Sequence, residues 1–391
     1  MFKKTILFFS IMAVYSYAQT TVNPDISLIG AFNAYINNVK DTPEYGKLNL
    51  ETPGFEMLVE GYLNPYARAV ATLAYEEEEF AAEELYAEVL RGLPLELQVK
   101  AGKYLLGFGK LNGQHPHMWN FLHRPLSHRV FLGEEGFNDV GVDLNYMLPF
   151  GDIFSSITLG LFRGDAIANT LVSEETDLTG SRGISPIWIG HWGNFISLSD
   201  FASLEIGLSG SSGLYARTLI NDTGDTTVSG ENRKLNYLYG GLDLKYKYVP
   251  NMYTALTIQG EGILNLRDVP RDGSSGVHTA KQMIASISTF GFFISVDYRF
   301  LRQFTLGTMY DFTYGIPDDE PSFYSLANDD QSNTQGIYLW FGYYPVEETI
   351  ALRMELEHLR FSDQNGVSRD PETKLTLQLL FSLGPHKAHP F

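Results

Sequence analysis

The chain contains no cysteine. Its absence excludes disulfide bonds, thiolate metal ligands and a cysteine nucleophile. Beyond the first eighteen residues, no stretch reaches the roughly 20 apolar residues that a membrane-spanning helix needs. A glycine-rich phosphate-binding motif is also missing, which argues against an ATP-driven machine. With a formal charge of −18 and no basic patch, the chain is not expected to bind nucleic acid.

The first eighteen residues have the pattern of a secretory signal peptide. Lys3 and Lys4 supply the positive start, an apolar run follows from Thr5 to Val14, and Ser16-Tyr17-Ala18 places small residues before the expected cleavage site. The sequence therefore predicts a signal peptide at 1–18 and a single barrel domain at 19–391, in which 384–391 form a periplasmic tail.

The clearest pattern in the remaining chain is an alternation of its connections. Segments of about ten residues with period-two apolar patterning are joined in turn by short links and by long polar ones. Asn64-Pro65 and Leu301-Arg302-Gln303 are two of the short links. This pattern predicts an all-β fold, a transmembrane antiparallel up-and-down β-barrel in the outer membrane of a Gram-negative bacterium, with short periplasmic turns and long outer loops. The alternative is a soluble array of β-sandwiches. Its connections would not alternate strictly between short and long.

Sixteen strands are predicted from the alternation. Their spans are 24–36, 54–64, 65–76, 83–92, 94–107, 138–148, 153–163, 185–198, 201–214, 235–248, 252–266, 281–300, 303–314, 335–344, 348–361 and 373–383. The expected outer loops are 37–53, 77–82, 108–137, 164–184, 215–234, 267–280, 315–334 and 362–372. An even count is what single-chain barrels of this class require.

Each predicted strand has one apolar and one polar face. The apolar face must contact lipid, because a charge at the bilayer midplane costs about 2–4 kcal/mol. Twelve acidic residues are then expected inside, namely Glu56, Glu60, Glu88, Glu96, Asp143, Glu205, Asp243, Glu261, Asp297, Asp311, Glu355 and Glu357. Seven basic residues join them, namely Arg68, Lys100, Lys245, Lys247, Arg299, Arg353 and Lys374. So many charges predict a water-filled interior with a mild preference for cations.

The third outer loop, residues 108–137, differs from the others in composition. It contains four of the nine histidines together with many aromatic and aliphatic residues, so we expect it to fold into the barrel. In this the chain resembles general diffusion porins, whose third outer loop narrows the pore; the resemblance implies a homotrimer. Three stretches are similar to a poorly characterised group of porin-like outer-membrane proteins: His115-Pro116-His117, the run 133–139, and the ending 384–391. The chain departs from the usual porin pattern at its end, because Phe391 closes a tail and does not end the last strand.

Three interpretations of this loop remain open. In the first, Lys110, Arg124 and Arg129 face Glu134, Glu135 and Asp139 across a pore constriction, where opposed charges orient polar solutes. In the second, His115, His117, His123 and His128 bind Zn²⁺ or another divalent metal through neutral imidazoles. In the third, the histidines hydrogen-bond the wall or titrate near neutral pH.

The predicted function is an outer-membrane porin that gives passive diffusion to small hydrophilic solutes or ions. One alternative is a metal-responsive or metal-uptake channel that uses the loop histidines with His386 and His389 of the tail. Another is a non-conducting barrel that binds a surface partner. No enzyme is predicted, since Ser127-His128 lacks an assignable third group. The expected partners are lipid and lipopolysaccharide, the latter through the acidic run 76–79, and no cofactor is predicted besides the metal.

Overall fold

The computed structural model describes residues 24–40, 42–76, 79–151, 153–167, 186–220, 231–270, 284–315, 333–346, 349–362 and 368–384. The strands are β1 (Asp25–Asn37), β2 (Asn49–Leu50), β3 (Gly54–Asn64), β4 (Ala67–Glu76), β5 (Glu79–Val89), β6 (Gln98–Leu105), β7 (Asn138–Phe150), β8 (Ile153–Phe162), β9 (Ile187–Ser199), β10 (Ala202–Ile220), β11 (Glu231–Asn251), β12 (Thr254–Pro270), β13 (Ile284–Phe300), β14 (Phe304–Tyr314), β15 (Asn333–Val346), β16 (Ile350–Phe361) and β17 (Glu372–Leu383). A helix, α1 (Leu126–Leu132), and two single 3₁₀ turns, Pro94–Glu96 and Pro116–Met118, lie between the strands.

The sixteen long strands form a closed antiparallel barrel. Each pairs with its neighbours in the chain, and β1 closes the ring by pairing with β17 on one side and β3 on the other. The two-residue β2 adds a short pairing to the end of β1. Closure leaves no unpaired strand edge, which is what a membrane-spanning sheet requires. The predicted fold class and strand count are therefore confirmed.

Strand ends differ from the prediction by a few residues at most positions. The largest extension is in β10 and β11, whose pairing continues to Ile220 and Glu231 and so takes in both ends of the predicted loop 215–234. The predicted strand 94–107 instead begins at Gln98. Pro94 starts a 3₁₀ turn there, because proline has no N–H to donate to a neighbouring strand.

This turn corrects the prediction for Glu96. The sequence pattern places Glu96 on the inward face of a strand, but the structure places it in the turn, exposed and with a φ of 55°. Leu95, beside it, is 76% exposed. Glu96 therefore does not belong to the charges of the barrel wall.

The two faces of the strands follow the predicted alternation. On β14, the side chains of Leu306 and Tyr310 are 54% and 37% exposed, whereas Thr305 and Asp311 are 1% and 0% exposed. The outward apolar face is the surface that lipid would cover. Among the described residues, no helix combines the length and apolar character needed to cross a membrane.

The barrel interior holds a hydrophobic core. Inward residues of the wall, among them Tyr239, Phe293 and Tyr338, are at most 1% exposed and belong to one buried cluster. Their packing partners come from residues 106–137, the connection between β6 and β7, which we call the β6–β7 loop. The interior therefore differs from the uniformly water-filled lumen that the wall charges predict.

Candidate functional site

The β6–β7 loop packs its apolar residues against the inside of the wall. Phe137 stacks on Tyr239 of β11 with ring centroids 5.8 Å apart, and Phe121 meets Trp340 of β15 edge-on at 5.6 Å. The buried apolar residues of the loop are Leu106, Phe108, Leu111, Trp119, Phe121, Leu126, Val130, Phe131, Leu132 and Phe137. Such packing explains why the loop is rich in residues that an exposed connection would not need.

Carboxylates of the wall accept hydrogen bonds from the backbone of this loop. Glu261 of β12 accepts from the N–H groups of Lys110 and Leu111 at 3.2 and 2.7 Å. Gly109, with a φ of +66°, lies so close that a Cβ there would collide with the Glu261 carboxylate. Buried N–H groups need an acceptor, and a charged one makes the stronger hydrogen bond. Glu261 therefore both positions the start of the loop and satisfies its backbone.

Two further carboxylates hold the middle of the loop in the same way. Asp311 of β14 accepts from the Ser127 N–H at the start of α1, at 3.1 and 3.3 Å to its two oxygens. Glu355 of β16 accepts from the N–H groups of Leu122 and His123 at 2.7 and 3.3 Å. Both carboxylates are 0% exposed. Part of the inward charge thus serves the loop backbone instead of solvating a channel.

The contacts of the loop reach nearly opposite sides of the barrel. Lys110 pairs with Glu205 of β10, while His115 contacts Glu56 of β3 at 3.2 Å. β3 and β10 lie seven strands apart in the ring, close to half of its sixteen long strands. The β6–β7 loop therefore crosses the space enclosed by the wall.

His115 and His117 lie side by side in the loop. Pro116 starts a 3₁₀ turn that includes His117, and the two imidazole rings stack with centroids 5.7 Å apart and planes 17° apart. His117 Nδ1 lies 3.4 Å from Glu56, and His115 Nε2 lies 3.1 Å from Glu84 of β5. Glu83 of β5 reaches His115 Nδ1 at 3.6 Å. Two histidines and three carboxylates therefore meet where the loop contacts β3 and β5.

The protonation of His115 follows from these neighbours. Burial alone would lower its pKa, but hydrogen bonds and charge–charge attraction from Glu56 and Glu84 raise the pKa of His115 to about 10. Its side chain is therefore an imidazolium at neutral pH. It supplies positive charge among otherwise acidic groups.

The other two histidines of the predicted metal set lie elsewhere. His123 Nδ1 contacts Glu355 at 2.6 Å, and the fully buried His128 contacts Glu261 through Nε2 at 3.0 Å. The four histidines thus do not converge, since carboxylates of four different strands contact them; only His115 and His117 lie together. His386 and His389 of the tail lie outside the described residues.

Three of the six predicted constriction residues, Arg124, Glu134 and Glu135, lie together. Arg124 donates from Nε and Nη2 to the backbone oxygens of Glu134 and Glu135, at 3.0 and 3.4 Å, and its guanidinium lies 5.0 Å from the centre of the Trp119 ring. Burial lowers the pKa of Arg124 to about 10, so it stays charged at neutral pH. All three residues line a cavity of about 560 Å³ that Glu56, His115 and His117 also border.

The other three predicted constriction residues, Lys110, Arg129 and Asp139, do not line this cavity. Lys110 pairs with Glu205 beside a second cavity of about 350 Å³, and burial together with the nearby Lys245 charge lowers the pKa of Lys110 to about 8. Arg129 forms a 2.7 Å ion pair with Glu357 of β16. Asp139 is 2% exposed and accepts from the Gly164 N–H at 2.7 Å. Their opposite charges therefore do not face one another across one passage.

Several of the predicted wall charges have partners on the wall itself. Glu60 lies 3.6 Å from Arg68, Asp143 accepts from the Tyr104 hydroxyl at 2.9 Å, and the Lys100 ammonium lies 4.0 Å from the centres of the Tyr86 and Tyr104 rings. Arg353 donates to the Trp119 oxygen of the loop and to Gln378. Lys245 is buried and Arg299 is half-buried.

Glu83 and Glu84 of β5 are not among the inward charges that the sequence predicts, yet both contact His115. A register shift between β4 and β5 falls at Glu83, since Thr72 lies opposite Glu84 and Leu73 opposite Ala82. Such a bulge breaks the strict alternation of side chains and allows two successive residues to reach one side. A one-residue bulge has no marker in the sequence, so strand alternation does not predict that Glu83 reaches His115 together with Glu84.

Comparison with known proteins supports the fold. No protein-family profile matches the chain. A protein of Aquifex aeolicus described as uncharacterized is 29% identical and aligns with 96% of this chain and 81% of its own length. Among solved structures, the anion-selective porin from Comamonas acidovorans superposes with a TM-score of 0.55 at 13% identity, covering 92% of this chain and all of that one.

Two further structures extend the likeness. The outer membrane channel DcaP of Acinetobacter baumannii has a TM-score of 0.55 at 12% identity, over 92% of this chain and 96% of its own. OmpT of Vibrio cholerae has a TM-score of 0.53 at 8% identity, over 92% and 97%. The chain is thus a porin-like β-barrel of the kind found in bacterial outer membranes, and this likeness supports outer-membrane localisation.

Proposed function

We propose that this barrel is a porin that lets small hydrophilic solutes or ions diffuse passively across the outer membrane, with a mild preference for cations. The cavity of about 560 Å³ beside the β6–β7 loop carries the proposal. Arg124, Glu134 and Glu135 border it, as the constriction hypothesis requires of them. The passage then follows the side of the loop, because the middle of the barrel is filled by the hydrophobic core.

The charges around this cavity favour cations. Its carboxylates are Glu51, Glu56, Glu83, Glu134 and Glu135, and its arginines are Arg124 and Arg353. Even with His115 protonated, negative charge is in excess. Rings of acidic side chains select cations in pores. The Comamonas acidovorans neighbour is named as anion-selective, but at 13% identity it shares only the fold, so selectivity here follows from this chain's own lining.

Neutralising the cavity carboxylates is expected to reduce this preference. In a planar bilayer with a salt gradient, the triple variant Glu51→Gln, Glu134→Gln and Glu135→Gln should lower the cation-to-anion permeability ratio about twofold or more. These three positions leave Glu56 and Glu83 unchanged. The reversal potential gives the ratio directly.

A matched control removes three carboxylates that lie outside the cavity: Glu79→Gln, Glu96→Gln and Asp370→Asn, all exposed. It changes the net charge by the same amount and should leave the ratio nearly unchanged. An anion-selective wild type would contradict the predicted cation preference. Equal shifts in both triple variants would show that this cavity does not set selectivity. A folded barrel that never conducts would refute passive diffusion and favour the surface-binding alternative.

We also propose that the barrel associates as a homotrimer and contacts lipopolysaccharide at its outer rim. One Vibrio cholerae OmpT structure of the same fold is described as a trimer form. The rim contact would use the acidic run at 76–79, of which the structure describes the exposed Glu79 side chain. Divalent cations could bridge such carboxylates to lipid phosphates. The mass of the protein in detergent, measured by light scattering, tests the trimer.

A further inference from the structure

Donor atoms of His115, Glu56 and Glu83 lie close together between the β6–β7 loop and the wall, and His117 contacts the same Glu56 carboxylate. His115 Nδ1 lies 3.2 Å from a Glu56 oxygen and 3.6 Å from a Glu83 oxygen. His117 Nδ1 lies 3.4 Å from the same Glu56 oxygen. One atom each from Glu56, Glu83 and His115 fall within 4.8 Å of one another. Two nitrogens and two carboxylate oxygens are a donor set that zinc accepts.

The spacing of these atoms fits a tetrahedral ion. Zinc lies about 2.0–2.2 Å from nitrogen and oxygen ligands, so two ligands of a tetrahedral site are about 3.4 Å apart. Three of the distances between these atoms, 3.2, 3.6 and 3.4 Å, bracket this value. An ion could therefore replace the protons between His115, Glu56 and Glu83 with little movement, and the His117 ring would turn towards it to supply the fourth ligand.

A second, independent feature is the partner of the other His115 nitrogen. Nε2 lies 3.1 Å from the Glu84 carboxylate, and the second Glu84 oxygen accepts from the Leu105 N–H at 3.0 Å. Metal-binding histidines typically donate their free ring N–H to a carboxylate in this way, which fixes the ring and raises its basicity. The bulge at Glu83 makes both contacts available, because it lets Glu83 and Glu84 approach His115 together.

From these contacts we propose that His115, His117, Glu56 and Glu83 bind a divalent transition metal ion, with Glu84 orienting His115. The ligands come from the loop, β3 and β5, so the ion would fasten the loop to the wall. All four line the cavity of about 560 Å³, which gives an ion a route to the site. If the proposed diffusion path follows this cavity, the bound ion also lowers conductance; the binding site itself does not depend on that path.

Titration of the folded protein in detergent with Co²⁺ tests the site, because four-coordinate Co²⁺ absorbs visible light far more strongly than the hydrated ion. We expect the wild type to take up one equivalent with this strong absorption. His115→Ala should abolish the absorption. Glu84→Gln, which changes a single atom beside the ligands, should weaken binding about 10–100-fold.

Two controls separate this site from other histidines. His123→Ala removes a loop histidine that also contacts a carboxylate, and the double variant His386→Ala and His389→Ala removes those of the tail. Both should bind Co²⁺ as the wild type does. Heat-dependent mobility in gel electrophoresis verifies that each variant is a folded barrel.

The proposal is overturned if wild-type protein gives no strong absorption, if Glu84→Gln binds as tightly as wild type, or if the tail variant loses the signal. None of these readouts requires conduction. Zn²⁺ block of single channels is then a separate measurement: binding without block would refute only the link to the diffusion path, and a silent barrel that binds Co²⁺ would refute diffusion while the metal site stands.

Discussion

Replacing residues 107–136 with an Asn-Gly turn is expected to raise single-channel conductance about threefold or more, because a sixteen-stranded barrel without internal packing encloses an aqueous channel. The replacement is geometrically simple. Leu105 pairs with Asn138, and the Leu106 N–H donates to the Phe137 oxygen at 2.8 Å, so the two strand ends already lie side by side. Asn-Gly is the preferred two-residue connection for such a hairpin.

The expected increase in conductance is large because the β6–β7 loop fills much of the space inside the barrel. Its aromatic residues fill the space against Tyr239, Phe293 and Trp340, and no ion could cross that hydrophobic core. Once the loop is removed, these wall residues face water together with the carboxylates of Glu261, Asp311 and Glu355. The enlarged opening should also discriminate less between ions, since the Arg124 and glutamate lining of the cavity is reduced.

The control replaces residues 42–48, a mostly exposed connection between β1 and β2, with glycine and serine. It alters an outer loop and leaves the interior intact, so its conductance should match the wild type. Should removal of residues 107–136 leave the conductance of a folded barrel unchanged, the β6–β7 loop would not limit the passage, and the constriction hypothesis would be wrong.

The barrel itself was predictable from sequence because its signal is local. Period-two patterning reports which side of a strand meets lipid, and β14 shows Leu306 outward and Asp311 inward as that pattern predicts. Short links also mark the turns directly. The main strand error arose at Pro94, where a turn interrupts a run whose alternation otherwise continues.

The candidate site was only partly predictable, because its contacts join residues far apart in the chain. Composition was enough to indicate that the β6–β7 loop folds inward. Composition could not indicate that Glu355 accepts hydrogen bonds from the N–H groups of Leu122 and His123, which lie more than 200 residues away in the chain. The same holds for the histidines: spacing groups His115 with His123 and His128, whereas the wall carboxylates that each one meets separate them.

The second large effect concerns Glu261. In trypsin digests of the folded barrel, Glu261→Ala is expected to speed cleavage after Lys110, Arg124 and Arg129 by about 10–100-fold. The carboxylate accepts hydrogen bonds from two loop N–H groups and contacts His128 at 3.0 Å. Leaving buried donors without an acceptor costs about 1–3 kcal/mol, which favours release of the loop from the wall by a corresponding factor.

Proteolysis is the right measurement because a protease cuts the open form, and the rate follows its population when opening is fast. Glu261→Gln keeps an acceptor oxygen but loses the charge, so its cleavage rate should fall between wild type and Glu261→Ala. Glu88→Ala is the matched control: Glu88 is a wall carboxylate on β5 whose 2.8 Å ion pair goes to Arg68 of the neighbouring strand.

Mass spectrometry of the fragments identifies cuts within the β6–β7 loop and distinguishes them from cuts in outer connections. If Glu261→Ala and Glu88→Ala were cleaved equally fast after Arg129, weakening of the wall as a whole would explain both rates. A specific rise in Glu261→Ala, graded through Glu261→Gln, would instead make this buried carboxylate the main attachment of the loop.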